Sequence, residues 1–253
     1  MKKWLMMAIL AVSLTVNAEE KNENDLLSDA NMAALTYDDD DVKDGGVTIG
    51  TGADDNDRFS MHLSVGVDIP TGAPDGVDFA PFRSWEINVT LLQYDYTPGA
   101  KKTTLSAGLG LNWRRYTLKD HNMGFFKLND YVNVGHADLF DGQKMDDFSS
   151  DINTLSLAMP LLVKQRFGKS FAISLGAQLN WNFYARIHNS FEQGDHEIND
   201  YTKKIGERPF TVDVLGIIHF CKGFGVYCKY SPMTVLKKDR GPEFKSFAVG
   251  VYF

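Results

Sequence analysis

FAISLGAQLNWNF, residues 171–183, sets Phe171, Ile173, Leu175, Ala177, Leu179, Trp181 and Phe183 on one side of an extended chain. Ser174, Gly176, Gln178, Asn180 and Asn182 fall on the other. Successive side chains of a strand point to opposite faces, so a strict period of two predicts a strand and excludes an amphipathic helix. The chemistry of the two faces then separates barrel types. A soluble ligand-carrying barrel encloses its large apolar residues and exposes polar ones, which would leave Leu179, Trp181 and Phe183 in contact with water. A barrel in a membrane reverses the arrangement, with an apolar exterior against lipid and a small or polar interior.

The same alternation recurs on either side of this stretch. Phe59, Met61, Leu63, Val65 and Val67 oppose Ser60, His62, Ser64, Gly66 and Asp68. Trp85, Ile87, Val89 and Leu91 oppose Glu86, Asn88 and Thr90, and Leu105, Ala107, Leu109, Leu111 and Trp113 oppose Thr104, Ser106, Gly108, Gly110, Asn112 and Arg114. Leu157, Met159, Leu161 and Val163 face away from Ser156, Ala158, Pro160, Lys164 and Arg166. Phe210, Val212, Val214, Ile218 and Phe220 frame Asp213, residues 225–230 give the weakest pattern, and Phe247, Val249, Val251 and Phe253 close the series. The fold class predicted is all-β: a transmembrane antiparallel up-and-down β-barrel of about eight strands, the even number that such barrels use. Connections provide an independent test. Long ones (69–83, 117–153, 188–209 and the one before the last strand) alternate with short ones (97–102, 168–170 and 221–224). Long and short connections therefore lie on opposite rims, as expected for extracellular loops and periplasmic turns.

The N-terminal region divides by composition. Residues 1–18 read as a signal peptide: Lys2 and Lys3 precede an apolar run too short to span a bilayer, and Val16, Asn17 and Ala18 supply a small-residue cleavage site. Residues 19–57 hold 13 acids against Lys21 and Lys43, whereas residues 58–253 hold 22 basic and 20 acidic residues. The acidity belongs to a flexible periplasmic tail, with Asp38 to Asp41, Asp44, Asp54, Asp55 and Asp57 repelling one another in water. Such clustered carboxylates also suit calcium, but their spacing is not that of the helix-loop-helix calcium loop. An acidic total without a basic stripe argues against nucleic-acid binding.

The run Leu155, Ser156, Leu157, Ala158, Met159, Pro160, Leu161, Leu162, Val163 and Lys164 resembles a segment of the outer membrane protein β-barrel domain family of Gram-negative bacteria. Gly176 within the following strand, Tyr230 with Ser231, and the terminal Phe253 are similar to the same family. The resemblance covers roughly residues 58–253. It implies a small porin-like barrel at the outer membrane, in contact with outer-membrane lipids including lipopolysaccharide. It also implies insertion by the barrel assembly machinery, which in such proteins reads the terminal aromatic strand, here Phe247, Val249, Val251 and Phe253. It implies no defined activity, no cofactor and no metal.

An eight-stranded barrel is just wide enough for side chains to fill it. Glu86, Arg114, Lys164, Arg166, Arg186 and Asp213 all fall on predicted inward faces, where charges must be paired or hydrated. They are the candidate polar lumen network of a structural or surface-interaction protein. A narrow porin is one alternative. A lipid-modifying barrel enzyme is the other, using His121, His136 with Asp138, His188 or His196 with Glu197, and Ser149 or Ser150 as nucleophile. His188 and His196 with Asp195 lack the spacing of a zinc site. Phe125, Phe126, Tyr131 and Phe140 in the longest loop are expected to fold back on the rim. Cys221 faces inward and Cys228 outward by parity, so no disulfide is expected between them.

Overall fold

A computed structural model describes residues 49–50, 57–98, 102–137, 146–167, 171–193, 196–220 and 224–253. The signal peptide, Asp138, Phe140, Asp195, Cys221 and nearly all of the acidic tail, with its calcium candidates other than Asp57, lie outside the described residues. Twelve strands follow in chain order among them: β1 (Ile49–Gly50), β2 (Asp57–Thr71), β3 (Trp85–Tyr96), β4 (Thr103–Thr117), β5 (Met123–Leu128), β6 (Tyr131–His136), β7 (Asp146–Arg166), β8 (Ala172–Gln193), β9 (His196–Lys203), β10 (Phe210–Phe220), β11 (Phe224–Ser231) and β12 (Lys245–Tyr252). Eight of them, β2, β3, β4, β7, β8, β10, β11 and β12, pair antiparallel with their neighbours in that order. β12 returns to β2 with Phe247 opposite Ile69 and Tyr252 opposite Ser64, so the barrel closes. Closure removes the sheet edges that would otherwise stay unpaired in lipid. Phe253 adds the final rung, its N–H donating to Leu63 O (2.8 Å) and its O accepting from Leu63 N (3.0 Å). β1 extends β2 past that point, Gly50 opposite Arg58.

Outside the barrel the large apolar side chains form one belt. Leu63, Leu91, Leu105, Leu161, Leu175, Val214, Ile218, Phe247 and Val249 are all exposed on it, drawn from every wall strand except β11, which adds Val226 and Tyr230. Apolar area encircling a molecule in this way exceeds any patch that a monomer keeps in water, and it fits a hydrocarbon layer. Aromatic residues mark its long-loop border, where Trp85 and Trp113 meet edge to face at 5.0 Å and Trp181 lies beside Phe183. The Pro160 of the family-like segment is accommodated because the β4–β7 ladder skips Met159 and Pro160, opposite Gly108 and Leu109. A proline has no N–H to give to a ladder, and Gly108 leaves room for its ring.

Two regions depart from the predicted outline. β7 and β8 run for 21 and 22 residues, about twice the 9–11 that a tilted spanning strand needs, so they continue well past the belt. Their extension carries β9, paired to β8 from Gln193–His196 to Arg186–Lys203. Segment 188–209 is therefore partly sheet. The longest loop contains the β5–β6 hairpin, and Ser149 and Ser150 belong to β7.

Candidate functional site

The lumen is crossed by a charged cluster built from one rung of the sheet. Tyr227, Gly250, Gly66, Glu86 and Arg114 stand side by side on β11, β12, β2, β3 and β4. The two glycines leave a flat place over which the Tyr227 ring lies, and its hydroxyl donates to Glu86 Oε1 (2.8 Å). Arg114 Nε is 3.3 Å from Glu86 Oε2, Nη1 donates to Ser231 Oγ (3.2 Å), and Nη2 is paired with Asp213 on the opposite wall. Lys229 Nζ sits 2.5 Å from Glu86 Oε2. Amides extend the network: Asn180 Nδ2 donates to Asp213 Oδ2 (2.7 Å), Gln178 Nε2 to Asn180 Oδ1 (2.7 Å), and Asn88 Nδ2 to Gln178 Oε1 (2.9 Å). Glu86, Asp213 and Asp68 are fully buried. Three carboxyls thus face two cations in a space of low dielectric, where breaking a pair is far costlier than at a surface.

Above this cluster the barrel is stoppered by apolar side chains. Tyr116, Ile152, Ala185 and Ile187 from the wall pack with Phe79, Phe125, Val132, Ile205, Leu236 and Phe244 from the connections. Phe79 touches Phe244 at 4.6 Å between ring centroids, and Phe244 meets Tyr116 edge-on at 5.2 Å. Phe125 is the loop aromatic that folds back on the rim; Phe126 is half-buried and Tyr131 is exposed. Polar contacts hold the hairpin in place: Phe125 N donates to Ser150 Oγ (2.9 Å), Ser150 Oγ to Asn189 Oδ1 (2.6 Å), and Asn189 Nδ2 to Phe125 O (3.1 Å).

Of the six predicted lumen residues, Glu86, Arg114 and Asp213 are brought together. Lys164 and Arg166 keep the inward parity but lie ten and twelve positions along β7 from Thr154, the register partner of Arg114, toward the short turns. Arg186 is a correction: it faces outward. The β7–β8 register slips where Leu155 opposes Tyr184 and Ser156 opposes Asn182, so Phe183 is an extra residue that reverses the parity beyond it. Ala185 and Ile187 take the inward positions, and Arg186 rests 4.6 Å over the Tyr201 ring on the exterior. Asp68, Lys229 and Tyr227 were the residues not singled out beforehand. Asp68 had the right parity on the first strand, while Lys229 and Tyr227 sat in the weakest pattern of the eight.

Among the described residues, the candidate loop histidines His121, His136, His188 and His196 are not brought together with one another. Arg83 stands between His121 and Ser149, with Nη1 3.3 Å from His121 Nε2 and Nη2 donating to Ser149 Oγ (2.9 Å). The guanidinium occupies the lone pair that a general base needs. His136 and His196 are exposed. His188 is held between the wall and β9, with Nδ1 3.1 Å from Asp151 Oδ1 and Nε2 2.8 Å from Asn199 Oδ1, and its ring stacks on Tyr201. Asp151 also takes Arg115 Nη2 at 2.5 Å. The hydrogen bond to Asp151 raises the His188 pKa above 6.5, against the opposing effect of partial burial; Asn199 adds to the rise, and Arg115 lowers it. Both ring nitrogens face oxygens, which suits the doubly protonated ring. A raised folded value means that His188 stabilises the β8–β9 flap fully below its unfolded pKa, and that this contribution fades as pH rises through the folded one. Amide exchange in β9 is therefore expected to quicken between mildly acidic and mildly alkaline pH beyond its intrinsic change. His188→Gln is expected to abolish that excess.

Among the described residues no three His, Cys, Asp or Glu side chains gather as a metal site. Cys228 is a free thiol on the outer face, as parity placed it.

The chain gives no match to a protein-family model, and no curated protein matches it. It is similar to two crystal structures of Ail, the attachment invasion locus protein of Yersinia pestis, at 10% identity over 78% of this chain and 99% of theirs. The TM-scores are 0.32 for one and 0.33 for the structure in complex with the heparin analogue sucrose octasulfate. By its own hydrogen-bonded closure, its apolar belt and its polar lumen, the chain is an eight-stranded transmembrane β-barrel of the outer-membrane type.

Proposed function

We propose that this chain is a sealed outer-membrane barrel that displays its long-loop end at the cell surface, with the acidic N-terminal tail and Phe253 on the periplasmic side. The observation that carries the proposal is the apolar stopper packed above a charged, side-chain-filled lumen. A path for solutes would have to displace both, so the barrel serves as a platform for its rim and outer wall instead of as a pore. The outward row Phe247, Val249, Val251 and Phe253 closes the barrel against β2, and on this reading it is the segment that the assembly machinery recognises. The purified, folded protein is expected to give no steady conductance in planar bilayers. Stable single-channel steps would overturn the sealed reading. On intact cells, membrane-impermeant amine reagents are expected to label lysines of the long-loop end, such as Lys119 and Lys238.

A further inference from the structure

Arg186 and Lys203 stand directly opposite one another on β8 and β9. Like charges at that spacing destabilise a strand pair, and among the described residues no ion pair to a carboxylate relieves this one. Arg186 lies against Tyr201 and Lys203 Nζ is 5.9 Å from the Tyr184 ring centroid, so both cations rest on aromatic faces. Arg186 Nε is buried without a hydrogen-bond partner. The pair lies on the exterior, immediately beyond Trp181 and Phe183 at the upper border of the apolar belt.

The charge continues sideways. Segment 203–208 holds Lys203, Lys204 and Arg208 against Glu207, and 237–240 holds Lys237, Lys238 and Arg240 against Asp239. The two segments are stitched together by Lys237 N donating to Gly206 O (2.9 Å) and Arg208 N donating to Val235 O (3.0 Å). Between them opens a cleft of about 370 Å³ bordered by Asn182, Lys204, Glu207, Pro209, Lys237 and Arg240, with Asp130 at its edge neutralised by Arg240 (2.9 Å). Asn182 turns inward to Thr211, while Phe210, opposite Trp181 on the outer face, is 66% exposed. Arg186 and Lys203, immediately beyond Trp181 and Phe183, therefore sit directly above an apolar wall.

The geometry points to a binding site for a phosphate-bearing lipid headgroup, held by Arg186, Lys203 and Lys204 with its acyl chains along Trp181, Phe183 and Phe210. An anion between Arg186 and Lys203 converts their repulsion into two charge-assisted contacts, and a guanidinium matches phosphate geometry. Only an amphiphile uses the cationic row and the apolar wall together. This site rests on the outward orientation proposed above for its place in the cell, but its chemistry does not depend on it.

The test uses the full chain in phosphatidylcholine bicelles, titrated with bisphosphorylated lipid A, with its dephosphorylated form and with inorganic phosphate. Binding is followed by native mass spectrometry and by tryptophan fluorescence. The phosphorylated lipid is expected to bind at least about tenfold more tightly than either control, and the R186Q/K203Q variant to lose about tenfold, which is about 1.4 kcal/mol. Because the variant removes a repulsion, its unfolding midpoint in bicelles without added ligand is expected to stay level or rise, an effect that a merely structural pair would not give. Equal binding of the dephosphorylated lipid, or an unaffected variant, overturns the site. Inorganic phosphate binding as tightly as the lipid overturns the lipid as occupant. Labelling of Lys119, exposed at the long-loop end and outside the site, reads the orientation separately on intact cells: protection there, with lipid binding intact in bicelles, would refute the orientation alone.

Discussion

Arg114→Met is expected to destabilise the barrel by about 3–5 kcal/mol, the range seen when one member of a buried ion pair is removed and its partner stays behind. Arg114 satisfies Glu86, Asp213 and Ser231 from a single side chain and so links β3, β4, β10 and β11 across the lumen. Without it Lys229 still balances Glu86, but Asp213 loses its paired cation and keeps hydrogen bonds from Asn180 and Ser231. Denaturant unfolding in lipid vesicles, read by the mobility difference between heated and unheated protein on gels, measures the loss. Arg114→Lys preserves the charge without the three-way fork and is expected to fall between the two. R114M/D213N is expected to recover part of the loss, because it removes the stranded carboxylate. A single variant as stable as the parent would mean that the cluster is hydrated and that Arg114 is not its keystone.

Much of this cluster was legible in the sequence, and the reason is geometric. Period two fixes which face a residue occupies as long as the strand runs without a bulge, so Glu86, Arg114 and Asp213 share one face and meet there. Parity alone does not fix depth, so Lys164 and Arg166 shared the face without joining the cluster. It also does not survive an inserted residue: one bulge at Phe183 moved Arg186 from lumen to exterior and turned a supposed lumen charge into the strongest feature of the outer wall. The extension of β7 and β8 was hidden for a related reason. Beyond the belt the outward positions become polar (Asp151, Asn153, Arg186 and His188) and pair with one another or with β9, so the alternation that reveals a lipid-facing strand disappears although the hydrogen-bonded ladder continues. The stopper is the least predictable part. Its members come from four connections and three wall strands, and nothing local distinguishes Phe125 or Phe244 from a solvated loop aromatic.

Gly66→Val is expected to cost about 2–4 kcal/mol, from overpacking together with loss of the buried Tyr227–Glu86 hydrogen bond. Gly66 opposes Gly250 across the closing seam; a β-carbon added there would occupy the space of the Tyr227 hydroxyl and come within 2.7 Å of Val249 O, and one added at Gly250 would meet Val65 O and Gly66 Cα before Tyr227 Cε1 at 2.7 Å. The glycines are required by this close approach and not by backbone conformation, since both sit in regular strand pairs. It follows that the share of the penalty owed to the tyrosine ring is removable with it, while the approach to Val249 O remains. Gly66→Val in a Tyr227→Ser background is expected to cost far less than in the parent, with a coupling energy of about 1–3 kcal/mol in the double-mutant cycle. Additive effects would show instead that valine disturbs the β2–β12 pairing itself. The cycle thereby separates two ways of closing the barrel: by backbone hydrogen bonds along the seam alone, or by those bonds together with a ring laid across it that ties the last two strands to Glu86 and, through Glu86, to Arg114 and the far wall.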